Sequence, residues 1–453
     1  MTDAAADLPP QFPAPLGING KARQWLRKLG LAGKASLVVG LALAMLIPLG
    51  LVQGVIGERI MLQAQAVQDI RALWGGAQQV AGPMLQLRYR TLETGTAQTL
   101  WLQPDSLSIR THLVPEIRYR GLFQTVVYRA EIDIAGSFPP LARAVLGERP
   151  KRVDWADSRL LLGVADPRSL ILPEPATFAG EELSFEPSAQ GPRGLDTLAA
   201  SVAKLADADP AQPLPFHLKL RLNGSSDIAF LPLARTTEVA IDAAWDAPSF
   251  FGRFAPDERQ IGADGFSAHW HITHLGTALP QVFDSYERSG PQAEMLERVR
   301  FGVGLMQPIG AYRESERAAK YGLLFVGLTL GTWLLFEIAA GVRVHPLQYA
   351  LVGGALCVFY LLLLSFAEQL GFARAYLLSA AAVVLQTSAY TLVVTRRWRL
   401  AALFAIGIAC LYGYLFVLLR LETQSLIGGS LLLFAVLSLA MSGTRGLAVD
   451  KAA

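Results

Sequence analysis

Three histidines near residue 270 have the spacing that could most directly support chemistry. His269, His271 and His274 lie in the segment HWHITH, and three imidazoles can form a ligand set for zinc or copper. On a β-strand, however, His269 and His271 share one face while His274 points away. No Cys, Asp or Glu lies inside the segment to complete a ligand set. The pattern favours partly exposed strand histidines, and we predict no metal site.

Glu337 is the second candidate because it is the one ionisable residue inside the apolar segment 321–342. A carboxylate in a membrane span is by default a functional hypothesis, for example as part of a proton relay. The structural alternative places Glu337 near the end of the span, paired with Arg343 or held by a neighbouring helix. Glu368 and Arg374 flank the next boundary, and their spacing predicts an interfacial ion pair.

Motifs for common enzyme chemistry are missing from the chain. The sequence contains no phosphate-binding G-x-x-x-x-G-K-[ST], no H-E-x-x-H, no G-x-S-x-G and no pair of redox cysteines. The two cysteines, Cys357 and Cys410, lie in apolar segments and fit small core hydrophobes. We therefore predict no catalytic residues, no cofactor and no enzyme activity. A formal net charge of +3 is too small to indicate a nucleic-acid partner.

Six apolar segments are long enough to cross a bilayer, which takes about 20 residues. They are Ala35 to Gly57, Tyr321 to Val342, Leu347 to Ala367, Ala375 to Thr395, Leu400 to Leu419 and Thr423 to Gly443. The chain thus divides into a tail (1–34), a first span (35–57), a long segment (58–320), a five-helix block (321–443) and a second tail (444–453). The first span could instead be a cleaved signal peptide. Its 23 residues exceed the about 7–15 of a signal core, which favours an uncleaved anchor.

Basic residues in the short flanking segments predict the orientation. With both termini in the cytoplasm, the short inner segments carry eleven Lys and Arg, whereas the short outer loops carry two, Arg374 and Arg420. Positive charge concentrates on the cytoplasmic side of membrane proteins. The segment 58–320 is therefore expected to lie outside the cytoplasm, since long segments translocate largely regardless of charge.

The long segment 58–320 has the pattern of a β-rich domain that follows an initial helix. Ile60 to Val80 predicts a helix ended by Gly82-Pro83. Alternation of apolar and polar residues predicts strands over Val126 to Ile134, Thr236 to Ala244 and Phe266 to Leu275. Phe216 to Leu222 and Ile228 to Leu231 predict a hairpin, and Pro167 to Pro213 predicts loops with one short helix, Leu195 to Leu205. The expected fold is an α+β membrane protein with six transmembrane helices, one plus five, and a large sandwich-like β-rich domain.

Short segments spread over residues 35 to 445 form a distinctive set. They are Glu58-Arg59, Trp74-Gly75, Gly82-Pro83, Arg120 to Phe123, Trp245 to Gly252, His274-Leu275, Phe301 to Val303, Lys320 to Phe325, Leu335 to Glu337, and His345 to Tyr349. Together they resemble the CreD family of bacterial inner-membrane proteins. His269 and His271 are not part of this pattern, which weakens the metal hypothesis further.

The resemblance implies a location in the Gram-negative inner membrane, a periplasmic β-rich domain and a role in cell envelope integrity or envelope stress. It implies no catalytic residues. The leading hypothesis is a non-enzymatic protein whose partners are the lipid bilayer and a periplasmic envelope component or protein. The alternative is a transporter or lipid-handling protein with Glu337 in a polar path. Interrupted helices or internal repeats would favour this alternative, and Gly353-Gly354 is the one comparable feature in the sequence.

Overall fold

The computed structural model describes residues 31–91, 97–141, 151–188, 195–283, 296–306, 311–340 and 344–420, together with part of 427–441. The chain forms two compact units. The first, the membrane unit, comprises Met1–Ile60 and Ile309–Ala453, and the second, the β-domain, comprises Met61–Pro308. The domain boundaries predicted at residues 58 and 320 stay predictions.

The helices of the chain are mostly long and apolar. They are α1 (Leu31–Ala44), α2 (Leu46–Trp74), α3 (His274–Thr277), α4 (Ala311–Lys320), α5 (Gly322–Ala340), α6 (Pro346–Leu370), α7 (Phe372–Thr395) and α8 (Trp398–Arg420). The short break at Met45 between α1 and α2 is explained by Pro48, which has no N–H to donate to the carbonyl of Ala44. The amide of Leu49 still donates to the carbonyl of Met45 at 3.1 Å, so the helical path continues through the break.

Four described helical stretches are long and apolar enough to cross a membrane. They are Gly33–Trp74, Pro346–Leu370, Phe372–Thr395 and Trp398–Arg420. A shorter apolar stretch, Gly322–Leu334, lies inside α5, where the second span was predicted. The sixth predicted span, 423–443, falls largely outside the described residues. The structure therefore supports a multi-pass membrane protein, and the count of six remains a prediction.

The β-domain consists of strands and short helical turns. The strands are β1 (Gln78–Thr91), β2 (Ala97–Leu102), β3 (Ser106–Arg120), β4 (Phe123–Phe138), β5 (Lys151–Val164), β6 (Ala176–Phe178), β7 (Glu181–Leu183), β8 (Phe185–Ser188), β9 (Asp196–Ser201), β10 (Leu214–Ser225), β11 (Asp227–Leu231), β12 (Thr236–Ala243), β13 (Pro248–Gly252), β14 (Glu258–Gly262), β15 (Gly265–Thr273), β16 (Val282–Phe283) and β17 (Phe301–Leu305). The β-rich prediction for this part of the chain is confirmed.

Two mixed sheets share one apolar core. The first sheet has the order β13-β17-β11-β1-β5-β9-β8; off this path, β2 pairs with β1 and β16 pairs with β2. The second has the order β14-β15-β12-β3-β4-β10-β6-β7. Their inward side chains form one buried cluster, in which Trp270 of β15 contacts Phe301 of β17 with ring centroids 5.5 Å apart. Burial of this apolar surface is the main stabilising contribution to the β-domain.

The predicted hairpin of Phe216 to Leu222 with Ile228 to Leu231 is wrong. β10 pairs with β4 and β6 in the second sheet, whereas β11 pairs with β1 and β17 in the first. Ser226, in the left-handed region at φ 66°, turns the chain from one sheet to the other. Both strands are largely buried, and alternation within a strand does not identify its partner strand.

Two further predictions of local structure are wrong. The segment expected to form a helix, Leu195 to Leu205, contains strand β9, which pairs with β5 and β8, followed by a 3-10 turn at Ala203–Asp207. The helix expected to end at Gly82-Pro83 instead ends at Trp74. Gly82-Pro83 lies inside β1 at a register shift against β5, where a proline is tolerated because the pairing is already interrupted.

Candidate functional site

Glu337 is buried in α5 and has two polar partners in the membrane unit. Its carboxylate forms an ion pair with the ammonium of Lys34 from α1, and it accepts a hydrogen bond of 2.6 Å from the hydroxyl of Tyr349 in α6. Trp333, one turn earlier in α5, packs edge-on against the ring of Tyr349 with centroids 5.3 Å apart. A buried charge is tolerated when it is paired and hydrogen-bonded. Arg343, the partner suggested by the sequence, lies outside the described residues.

Glu368, near the C-terminal end of α6, is likewise paired with one cation and one tyrosine. The guanidinium of Arg59 in α2 lies 3.6 Å from its carboxylate, and the hydroxyl of Tyr312 in α4 donates to it at 3.1 Å. The predicted partner Arg374 is therefore wrong, because α2 and α4 supply the polar groups around this carboxylate. We name the two groups the Glu337 cluster and the Glu368 cluster.

The two clusters connect the N-terminal helices to the later helices of the membrane unit. Tyr349 and Glu368 are separated by about 28 Å along α6, close to the roughly 30 Å thickness of the hydrocarbon layer. Between them, a Cβ added to Gly322 would lie 2.7 Å from Leu49, and one added to Gly353 would lie 3.1 Å from Met45. These glycines permit close helix packing, as was predicted for Gly353. Polar contacts therefore link α1, α5 and α6 near one end of α6, and α2, α4 and α6 near its other end.

Two of the three histidines lie on a strand as predicted, whereas the strand ends before His274. His269 and His271 are exposed on β15, and the imidazole of His271 lies 3.4 Å from the carboxylate of Glu238 on the neighbouring strand β12. His274 is the first residue of the short helix α3. Among the residues that the structure describes, no three His, Cys, Asp or Glu side chains lie close enough together to hold a metal ion.

Two adjoining cavities lie where the chain passes from one sheet to the other. β7 ends the second sheet, β8 ends the first, and Ser184 joins them. One cavity of about 410 Å³ has an apolar wall that includes Phe178, Leu183 and Leu205. The other, of about 470 Å³, is lined by polar groups that include Arg159 and Asp157. Both cavities share Glu182, Leu183 and Ser201 as lining residues.

The mixed lining of these cavities suits a ligand with apolar and polar parts. The charged residues around the two cavities are five carboxylates and three cations: Asp157, Glu181, Glu182, Glu186 and Asp207 against Arg88, Arg159 and Lys204. Some of them are already paired, since Arg88 bonds Asp157 at 3.2 Å and Lys204 bonds Glu181. No pattern in the sequence indicates this site, because the composition of Pro167 to Pro213 predicts loops and the wall forms only when distant strands pair.

The C-terminal end of α2 is bound tightly within the β-domain. Arg168 bonds both carboxylate oxygens of Asp166, at 2.8 and 2.6 Å, and its guanidinium also donates to the carbonyl of Ala72 at 2.9 Å. The indole of Trp74 donates to the carbonyl of Tyr128 at 3.2 Å. The hydroxyl of Ser225 donates to the carbonyl of Gly75 at 2.9 Å. The bonds to Ala72 and Gly75 satisfy carbonyls at and just after the helix end, where carbonyls lack a partner within the helix.

The carboxyl of Asp227, at the start of β11, has a pKa shifted from its ordinary value. Burial raises its pKa, while the nearby charges of Arg300 and Arg71 act in the opposite direction. Arg300 approaches it at 3.6 Å. The hydroxyl of Tyr128 donates to its backbone carbonyl at 2.6 Å, and burial raises the pKa of Tyr128 well above 10.0. These contacts link β11 to β4 and to Arg300, which directly precedes β17. No alternation of apolar and polar residues in the sequence indicates them.

Comparison with known proteins decides the family. Residues 30–449 match the family described as Inner membrane protein CreD. The chain belongs to the CreD family. Inner membrane protein CreD of Escherichia coli (strain K12) is 27% identical over 429 residues, which is 91% of this chain and 92% of that protein. Family membership and several long apolar helices together make the chain a multi-pass inner-membrane protein.

Similarity to solved structures is slight. An M1 zinc metallopeptidase from Deinococcus radiodurans aligns over 72% of this chain and 89% of its own, with 10% identity and a TM-score of 0.19. So low a score supports no statement about fold or chemistry.

The segments that resemble the CreD family include residues of both polar clusters, namely Arg59, Glu337 and Tyr349.

Proposed function

We propose that the protein supports cell envelope integrity or the response to envelope stress by binding, not by catalysis. The β-domain would face the periplasm and bind an amphipathic envelope component or protein, while the helices would anchor it. Membership in the CreD family supports the inner-membrane setting. The excess of Lys and Arg on one side of the short loops supports the orientation.

The observation that carries the proposal is the pair of adjoining cavities at the crossover between the sheets. Their combined space is in the range of small-ligand sites, and an apolar wall beside placed polar groups is the usual construction of such sites. Ser201 lines both cavities, so an occupant of either one would lie close to this residue.

Photocrosslinking in living cells tests this site. A benzophenone amino acid replaces Ser201 in the full chain, and the matched control carries it in place of the exposed Gln260 on β14, at the far edge of the second sheet. We expect a discrete adduct at position 201, identified by mass spectrometry as a lipid, glycan or protein of the envelope. No adduct, or the same adducts at both positions, would contradict the proposal.

Glu337 supports a second candidate function, transport along a polar path, because it is a buried carboxylate in an apolar helix. Its pairing with Lys34 and Tyr349 favours a structural role. The double variant Lys34→Met/Glu337→Leu removes both charges. If the role of Glu337 is structural, Glu337→Leu alone should lower the amount of folded protein, because it leaves the charge of Lys34 unpaired. The double variant should recover both folding and protection in an envelope-stress assay.

A path for protons or ions predicts a different result for the same variants. The double variant would then fold normally and still give no protection, because the titratable carboxylate is absent. Comparing the amount of membrane-inserted protein with survival under envelope stress separates the two functions.

A further inference from the structure

The cavity of about 410 Å³ has an apolar wall that is continuous with the core of the β-domain. Phe178, Val202 and Leu205 line this cavity and belong to the buried cluster between the two sheets. The ring of Phe178 packs edge-on against the ring of Phe138 in β4, with centroids 5.7 Å apart. An apolar group that enters the cavity therefore meets a surface that the packing of the core already holds in place.

Four charged residues line the same cavity, and two of them neutralise each other. Lys204, inside the 3-10 turn that follows β9, forms an ion pair with Glu181 of β7. Glu182 and Asp207 form no ion pair with any other residue in the described part of the chain. The cavity thus presents two uncompensated negative charges beside its apolar wall.

The charges around the neighbouring cavity of about 470 Å³ have the same bias. Its two cations are already bonded within the protein, Arg88 to a carboxylate and Arg159 to backbone carbonyls. Glu182, which lines both cavities, and Glu186 lack an ion-pair partner among the residues that the structure describes. An anionic ligand would therefore meet repulsion at either cavity.

A protonated amine is the group that these carboxylates suit best. An ammonium has three N–H donors and no acceptor, so it matches oxygens that can only accept. Its attraction to a carboxylate is stronger beside an apolar wall than in open water, because the effective dielectric constant is lower there. An apolar body joined to the amine would cover the buried side chains of the wall, and the volume of the cavity limits the occupant to a small molecule.

Building on the binding function proposed above, we propose that the cavity of about 410 Å³ takes an amphiphile whose polar end is a protonated amine. Glu182 and Asp207 are the carboxylates that receive the amine, and Phe178 and Leu205 contact its apolar body.

Photolabelling of the full chain in phosphatidylcholine nanodiscs tests the charge of the ligand. Three probes share one trifluoromethyl aryl diazirine and end in an amine, an alcohol or a carboxylate. Labelled peptides are quantified by mass spectrometry relative to the label in α6 to α8, which corrects for uptake of each probe into the bilayer. We expect the amine to label the peptides that line the cavity about two- to fivefold more than the alcohol, the effect of one exposed ion pair, and the carboxylate to label them least.

Substitutions at the two carboxylates separate charge from shape. Glu182→Gln/Asp207→Asn should abolish the preference for the amine. The matched control Glu258→Gln/Asp264→Asn makes the same change in net charge at exposed positions of the β14–β15 hairpin and should keep the preference. Glu182→Lys/Asp207→Asn should reverse it, so that the carboxylate probe labels the cavity most. A variant that fails to fold would lose the label of all three probes and could not produce this reversal.

Equal labelling of the cavity by amine and carboxylate would overturn the proposed charge of the ligand, as would a preference for the amine that persists in Glu182→Gln/Asp207→Asn. Either result would leave binding in the cavity intact, and a cellular adduct at Ser201 would still support the proposed function. Absence of label in the cavity with all three probes, while α6 to α8 are labelled, would also overturn the proposal. The proposed function itself would fail only if the adduct at Ser201 were absent as well.

Discussion

At the scale of single residues, Asp166 is expected to stabilise the β-domain in a pH-dependent way. Its hydrogen bonds with Arg168 lower the pKa of Asp166 from 3.8 to about 2. A carboxyl whose pKa is lowered on folding stabilises the folded state above its unfolded pKa, and this contribution is lost as the pH falls through the folded pKa. The contribution is therefore complete at neutral pH and lost between about pH 4 and pH 2.

The variant Asp166→Asn removes this contribution. We expect a lower melting temperature than wild type at pH 7 and a difference that shrinks steadily below pH 4, measured by thermal unfolding of the full chain in detergent. Asp196→Asn, at an exposed carboxylate on β9, is the matched control and should leave the melting temperature unchanged. A difference that is constant from pH 7 to pH 2 would show that the charge of Asp166 is not the cause.

Asp227 is expected to behave in the opposite way. Burial raises its pKa despite the nearby arginines, so the folded protein favours the neutral carboxyl more than water does. Above the folded pKa, the charged form then reduces the free energy of unfolding, and this loss disappears when the carboxyl is protonated at lower pH. Asp227→Asn should raise the melting temperature at pH 7, and its advantage should vanish towards pH 3. A lower melting temperature at pH 7 would indicate that Arg300 and Arg71 outweigh the effect of burial.

At the scale of elements, Gly75 determines how α2 joins β1. This residue has φ 138°, and an added Cβ would lie 2.7 Å from the carbonyl oxygen of Asn223. Both the backbone conformation and the close approach exclude a side chain. The neighbouring Gly76 has nothing within 4 Å of the same added atom and provides a matched control.

Gly75→Ala should therefore lower the free energy of unfolding by about 1–3 kcal/mol, the usual size of such backbone strain. Gly76→Ala should change it much less. Chemical unfolding followed by tryptophan fluorescence measures both variants. Equal effects of the two substitutions would mean that the close contact with Asn223 relaxes without difficulty.

Local sequence patterns predicted the elements better than their partners. The alternation in Phe266 to Leu275 identified β15 because one of its faces is buried and the other is exposed. His345 to Tyr349 resembled a family motif, and the structure shows a capping box in which His345 accepts from the amide of Leu347. The partner of β10 could not be predicted in this way, because strand pairing depends on residues distant in the chain.

The polar partners in the membrane unit illustrate the same limit. Glu337 was visible in the sequence as a charge in an apolar segment, but Lys34 is 303 positions away and resembled an ordinary flanking cation. Proximity in the sequence predicts Arg374 as the partner of Glu368, whereas the structure pairs Glu368 with Arg59 of α2. Contacts between helices arise from the packing of whole elements, which the spacing of single residues does not specify.

At the scale of the whole molecule, the orientation in the membrane is the prediction on which the proposed function depends. Basic residues outnumber acidic ones in the short segment around Arg396, Arg397 and Arg399, which should keep it in the cytoplasm. The β-domain then lies in the periplasm, where an envelope component can reach its cavities.

Cysteine labelling in intact cells measures this orientation. In a chain with Cys357 and Cys410 replaced by alanine, Asp264→Cys in the turn between β14 and β15 should react with a membrane-impermeant maleimide. Arg397→Cys, in the turn between α7 and α8, should react only after the inner membrane is opened. Both positions are exposed, so a difference between them reports the side of the membrane and not burial within the protein. The reverse pattern would place the cavities in the cytoplasm, and an envelope component in the periplasm could then not be their ligand.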